Sequence, residues 1–167
     1  MQKFIFILGF LTFSLVSFGQ TLKDWEGHYY GSIKVMNLEG KNANYHMELI
    51  IGPEKDSSRA WTIIYGEDST RQVRDYTLKY TPTQNLFDLD EHNGIILQMT
   101  LVDRTMYSVF MISNKLISVS YQLTENGIIY SLENVVKTTS TGEGTEESPT
   151  VENYAVNLTQ TTVLKKK

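Results

Sequence analysis

Between Lys41 and Gly52, the residues Ala43, Tyr45, Met47, Leu49 and Ile51 are apolar at every second place, with Asn44, His46 and Glu48 between them. A period of two puts successive side chains on opposite faces of extended backbone, whereas one face of a helix recurs near 3.6. Such a segment forms a strand with one buried face. Gly27 to Met36 repeats the pattern, with Tyr29, Gly31, Ile33 and Val35 opposite Ser32 and Lys34. No stretch beyond residue 20 keeps a helical period over three turns, although a short helix over Thr21 to Trp25 is compatible with the residues there.

The rest of the chain is a succession of strands and turns. Gly52-Pro53-Glu54-Lys55-Asp56-Ser57-Ser58 is a loop by composition, because proline cannot donate to a strand ladder and Asp and Ser favour turns. Strands are predicted over Arg59 to Tyr65 and Gln72 to Tyr80, placing Trp61, Ile63 and Tyr65 on one face and Tyr76, Leu78 and Tyr80 on another. Leu86 to Asp90 follows, and Asn93-Gly94 then signals a two-residue type I′ hairpin, which needs positive φ at both centres. Ile95 to Leu101, Met106 to Ile112, Leu116 to Leu123 and Ile128 to Val135 are joined by turn residues alone. Thr138 to Thr150 holds no large apolar residue and is expected to form a long mobile loop. Beyond it, Tyr154, Val156, Leu158, Thr162 and Leu164 share one parity, giving a last strand able to close a sheet against the first. About ten strands with short turns and no crossover imply an all-β, antiparallel up-and-down β-barrel, with a β-sandwich as the alternative.

Residues 1–19 have one basic residue, Lys3, then the apolar run Phe4 to Phe18, with Ser17 and Gly19 placed for cleavage ahead of Gln20. This is the pattern of a secretory signal peptide, and residues 20–167 are then one domain, periplasmic or extracellular. The chain has no cysteine, so thiol catalysis, cysteine metal sites and lipid attachment after the signal are excluded, and the fold must hold without disulfides. Without Lys3, 14 basic residues stand against 19 acidic ones, a formal charge of −5. That balance gives no basic surface for nucleic acid, the run Lys165 to Lys167 being a short solvated tail. No second hydrophobic run follows the signal, so membrane insertion is not expected.

Residues able to carry chemistry are sparse. His28, His46 and His92 fall in three separate segments among polar neighbours, and surface imidazoles are the simplest reading, with no metal site expected. Asp88, Asp90 and Glu91 lack the spacing of a calcium loop and read as a solvated hairpin rim. There is no Gly-x-Ser-x-Gly elbow, and Gly142-Glu143-Gly144 lacks the strand and helix of a phosphate loop. No catalytic residue is nominated, no cofactor is implied, and an enzyme is not expected.

What remains is the aromatic content, with ten tyrosines and two tryptophans. Tyr29, Trp61, Tyr65, Tyr76, Tyr80 and Tyr121 are predicted on inward faces, either as packed core or as the ligand-binding lining of a cavity, since a closed barrel of this size has more interior than side chains readily fill. The segment Asp24-Trp25-Glu26-Gly27-His28-Tyr29-Tyr30-Gly31, a Trp just ahead of a glycine-bearing first strand, together with hairpin strands to the end, resembles the calycin superfamily and the lipocalin-like proteins exported by bacteria. Calycins carry Gly-x-Trp here; in this chain Lys23 stands two before Trp25, Gly27 follows it, and the last strand has no arginine. The resemblance implies a barrel holding a small hydrophobic or amphipathic molecule in its lumen, with Trp25 as a structural plug. A protein-interaction module or inhibitor acting through the loops at 52–58 and 138–150 is the alternative, and a small outer-membrane barrel a third reading.

Overall fold

The structure, a computed structural model, describes residues 22–138, 144 and 149–167. The expected signal segment lies outside the described residues, as does most of the 138–150 loop. Ten strands follow in chain order: β1 (Gly27–Asn37), β2 (Asn42–Ile51), β3 (Ser58–Tyr65), β4 (Gln72–Tyr80), β5 (Leu86–Asp90), β6 (Ile96–Val102), β7 (Thr105–Ile112), β8 (Lys115–Thr124), β9 (Gly127–Lys137) and β10 (Tyr154–Lys166). Each pairs antiparallel with its sequence neighbours and β10 pairs with β1, so the sheet is a closed barrel and the sandwich alternative falls away. Closure leaves no unpaired edge, which suits a chain that is almost all strand.

The seam between β1 and β10 depends on small residues. The register runs Tyr29↔Lys166 and Tyr30↔Lys165, then resumes at Lys34↔Thr161. Between these stretches lies Gly31, where an added Cβ would sit 2.7 Å from the Val163 carbonyl oxygen and 2.9 Å from Thr162 Oγ1. At the start of β9, a Cβ on Gly127 would lie 2.0 Å from the carbonyl oxygen of Leu164. The first and last strands approach their neighbours closely because these two positions have no side chain.

The two ends of the barrel differ. At one end a single 3₁₀ turn, Leu22–Trp25, folds across the opening and buries Leu22 and Trp25. Trp25 stacks obliquely on Trp61, with ring centroids 6.3 Å apart, and its carbonyl accepts a 2.9 Å hydrogen bond from the Tyr29 hydroxyl. Lys166 on β10 completes the closure, donating to the Glu26 carbonyl at 2.7 Å while its ammonium sits 5.6 Å from the Tyr29 ring centre. A last-strand cation therefore does cover an aromatic ring here, but the cation is lysine and the ring is Tyr29. The opposite end, where β1 meets β2 and β3 meets β4, has no such cap among the described residues.

Two expectations are corrected. Asn93-Gly94 does not form a two-residue turn, because β5 and β6 are joined by five residues with positive φ at His92 (59°) and Gly94 (92°). Asp90 and Asn93 accept hydrogen bonds from the backbone N–H groups of His92 and Ile95, at 2.8 and 2.9 Å, and these side-chain turns win over the tighter hairpin. In β10 the shared parity breaks at a bulge between Val156 and Leu158. One extra residue reverses the faces, so Tyr154 and Val156 lie exposed while Thr162 and Leu164 point into the core.

Replacing Trp25 with alanine should cost roughly 3–5 kcal/mol, the range for truncating a buried aromatic. Gly31→Val should destabilise by about 1–3 kcal/mol or more through overpacking at the seam. Exposed Leu38→Ala should stay within about 0.5 kcal/mol of the parent. Urea denaturation of the three variants checks the order.

Candidate functional site

The interior is divided into a filled half and a hollow half. In the filled half, next to the Trp25 plug, Trp61 meets Tyr121 at right angles with centroids 5.2 Å apart, and Tyr121 lies 5.2 Å from Tyr130. These three rings, with Tyr29, Leu78, Met99 and Met106, are buried. Above them Ile63, Tyr65, Tyr76, Leu97, Phe110, Val119 and Leu132 surround a recess of about 90 Å³, with Tyr121 and Tyr130 forming its floor. Above that, at the uncapped end, is a wider cavity of about 540 Å³ lined by Ile33, Val35, Tyr45, Tyr65, Gly66, Thr70, Gln72, Arg74, Leu132 and Gln160. Tyr65 and Leu132 border both spaces.

Strand alternation places these residues. In β4, Gln72, Arg74, Tyr76, Leu78 and Tyr80 share one parity, so the inward face passes from polar at the mouth to apolar and aromatic at depth. In β3 the same parity carries Tyr65, Ile63, Trp61 and Arg59 from mouth to plug. The Arg74 guanidinium carbon lies 5.7 Å from the centre of the Tyr65 ring. The neighbouring Tyr76 phenol holds the Arg74 pKa above its already high value, against the opposing effect of burial. Glu91 also borders the smaller recess, and its carboxylate accepts a 3.2 Å hydrogen bond from Asn93.

Of the six aromatic residues expected to face the lumen, Tyr65, Tyr76 and Tyr121 are brought together around the recess. Trp61 lies beneath them in the packed half. Tyr29 belongs to the plug, held by Trp25 and Lys166, and borders neither cavity. Tyr80 is at the capped end, packed edge-on against Phe87 and donating a 2.9 Å hydrogen bond to Glu54. Beside it is buried Arg59, which donates to the Gly52 carbonyl at 3.1 Å, to Glu54 at 3.4 Å and to Tyr80 at 3.4 Å.

Sequence reasoning missed Arg74, Tyr130, Leu132 and Gln160. Arg74 shares the parity of Tyr76 and Tyr80, and that signal could have found it. Gln160 shares the parity of Thr162 and Leu164, beyond the β10 bulge, and the same signal could have found it.

The acid and base candidates are at the surface, with one rearrangement. His28 and His46, far apart in sequence, meet on the outer face of β1 and β2 with Glu48 between them. His28 Nε2 makes a close contact with Glu48 Oε2, while His46 Nε2 lies 3.3 Å from Glu48 Oε1 and its Nδ1 3.3 Å from Glu67. Burial pushes the Glu48 carboxyl upward, but hydrogen bonds from His28 and then His46 outweigh it and hold the group below its ordinary value. His92 is apart from this cluster, bonded to Thr77 at 2.9 Å. No group of three His, Asp or Glu side chains is arranged to hold a metal among the described residues. Asp90 stays at the rim, paired with Lys79 at 2.6 Å.

No family model matches the chain, and no curated protein matches it. Among solved structures it is similar to a protein of unknown function from the DUF3598 family of Nostoc punctiforme, at 12% identity and a TM-score of 0.62. The alignment covers 89% of this chain and 49% of that one, so the chain spans about half that protein's length. The likeness is one of fold alone.

Burial raises the phenol pKa of Tyr65, and raises those of Tyr121 and Tyr130 well above the usual 10.0. Their folded pKa values exceed the unfolded ones, so the stability these neutral rings provide is complete below pH 10.0 and is lost as pH rises beyond it. Ultraviolet titration should show exposed tyrosines ionising first and Tyr121 and Tyr130 only on unfolding, with Tyr121→Phe and Tyr130→Phe each removing one late event. Glu48 has the opposite sign. Its contribution is present above 4.5 and disappears as pH falls through the lowered folded value. Glu48→Gln should therefore lose roughly 0.5–1 kcal/mol at neutral pH, with parent and variant converging in acid, as measured by urea denaturation across pH.

Proposed function

We propose that this protein is an exported binding protein that holds a small hydrophobic or amphipathic molecule at the uncapped end of its barrel, and that it has no catalytic role. The observation that carries the reading is the cavity of about 540 Å³ between the plugged base and the end that no described residue caps. Its volume falls within the roughly 300–1,000 Å³ of small-molecule sites, and an apolar wall with a few polar groups is the usual character of such sites. Ile33, Val35, Tyr65 and Leu132 supply the apolar surface, and the recess beneath offers further contact with Leu97, Phe110 and Val119. Tyrosine hydroxyls around the lumen keep polar partners without charge, since burial favours their neutral form.

A lipid-embedded barrel is a poorer fit. Lys34, Glu48, Asp75 and Lys79 have the outward parity of their strands, and charge on a lipid-facing wall is costly. No helix among the described residues is long and apolar enough to cross a membrane.

Titration with the fluorescent probe 1-anilinonaphthalene-8-sulfonate tests the lumen. The parent should bind with enhanced, saturable emission, and Leu132→Trp, which fills the junction of the two spaces, should weaken binding by tenfold or more without lowering the melting temperature. Undiminished binding by that variant would place the probe elsewhere and count against the reading.

A further inference from the structure

Among the described residues, Arg74 is the one charged side chain lining the larger cavity, and it belongs to no ion pair there. No carboxylate of the described residues lies within 4.0 Å of its nitrogens, although seven other ion pairs form. The contrast with Arg59, on the same inward surface at the other end, is direct: Arg59 is buried and uses its nitrogens on Gly52, Glu54 and Tyr80. Glu91 is near enough to act on Arg74 through space, yet its carboxylate is bonded to Asn93. Tyr65 supports the guanidinium, whose carbon lies 5.7 Å from the ring centre. Contact with the Tyr65 ring restricts the guanidinium before any ligand arrives, which lowers the cost of binding.

We infer that Arg74 is the headgroup site of the lumen and that the ligand is an amphipathic monoanion, a carboxylate on an apolar chain or ring. The inference rests on the lumen reading and specifies its ligand. The headgroup would meet Arg74 at the mouth, where the neutral amides of Gln72 and Gln160 line the same cavity, and the apolar part would extend past Tyr65 and Leu132 toward Phe110 and Val119. A planar guanidinium matches the two oxygens of a carboxylate. One cation, with Glu91 acting on it through space, favours a single negative charge over the double charge of a phosphate monoester. Gln72 and Gln160 add donors without adding charge.

The test compares decanoic acid with 1-decanol, which share a chain and differ in the headgroup. Binding is measured by calorimetry at neutral pH to the parent, Arg74→Gln and Arg74→Lys, each with its melting temperature recorded. The parent should bind the acid at least tenfold more tightly than the alcohol. Arg74→Gln should erase that preference by weakening the acid alone, and Arg74→Lys should restore part of it. The acid's affinity should fall with added salt while the alcohol's does not. Equal binding of both ligands, unchanged in Arg74→Gln, would overturn the headgroup assignment and leave the lumen reading standing. Failure of both ligands to bind the parent would overturn the lumen reading, and the assignment with it. Decyl phosphate binding more tightly than the acid would overturn the choice of a monoanion.

Discussion

Pairing of β10 with β1 is the interaction on which the rest of the structure depends. An antiparallel sheet of ten strands with two free edges could stay open or fold into two layers, and only closure gives every inward residue a common interior. At the seam Gly31, and in the adjoining β9–β10 pair Gly127, let neighbouring backbone come closer than any side chain would allow. Lys166 then ties the end of the last strand to the Glu26 carbonyl and covers Tyr29. The residues that close the barrel also cap one of its ends, so the plug and the seam form a single piece of structure.

Capping one end makes the interior unequal. Trp25, Trp61, Tyr121 and Tyr130 fill the half beside the plug with rings in tilted and perpendicular contact, a dense arrangement that excludes water. Toward the other end the inward residues become smaller or polar, as Val35 succeeds Ile33 in β1, Arg74 and Gln72 succeed Tyr76 in β4, and Gln160 succeeds Leu164 and Thr162 in β10. A cavity opens there because those side chains do not meet across the barrel. The aromatic residues thus serve two purposes: Trp61 and Tyr29 are core, whereas Tyr65 and Tyr76 are wall.

The two inward arginines mark the ends of the same interior and illustrate how environment separates similar residues. Arg59 closes the capped end by satisfying its donors on a loop carbonyl, a carboxylate and a phenol, which a buried guanidinium requires. Arg74 is near the other end, exposed to solvent and lying over the Tyr65 ring. On the outer wall the His28, Glu48 and His46 cluster is a third kind of case, a surface network that links β1 and β2 and approaches neither cavity.

Alternation by itself determined the strands. Because one buried face imposes a strict period of two, β4 and β5 have the limits that the pattern implies, and the other strands differ by a few residues at their ends. The plug position of Trp25 was also legible, from a large ring beside small residues at the start of β1. Three features were decided only by the tertiary structure, and each depends on distant residues. The bulge after Val156 exchanges inside for outside in β10, because the strand must match β9. The loop around Asn93 widens because Asp90 and Asn93 spend their side chains on its backbone. The division of the lumen into packed and hollow halves follows from which rings meet across the barrel, and parity cannot encode that, since it fixes the face a residue is on but not what stands opposite.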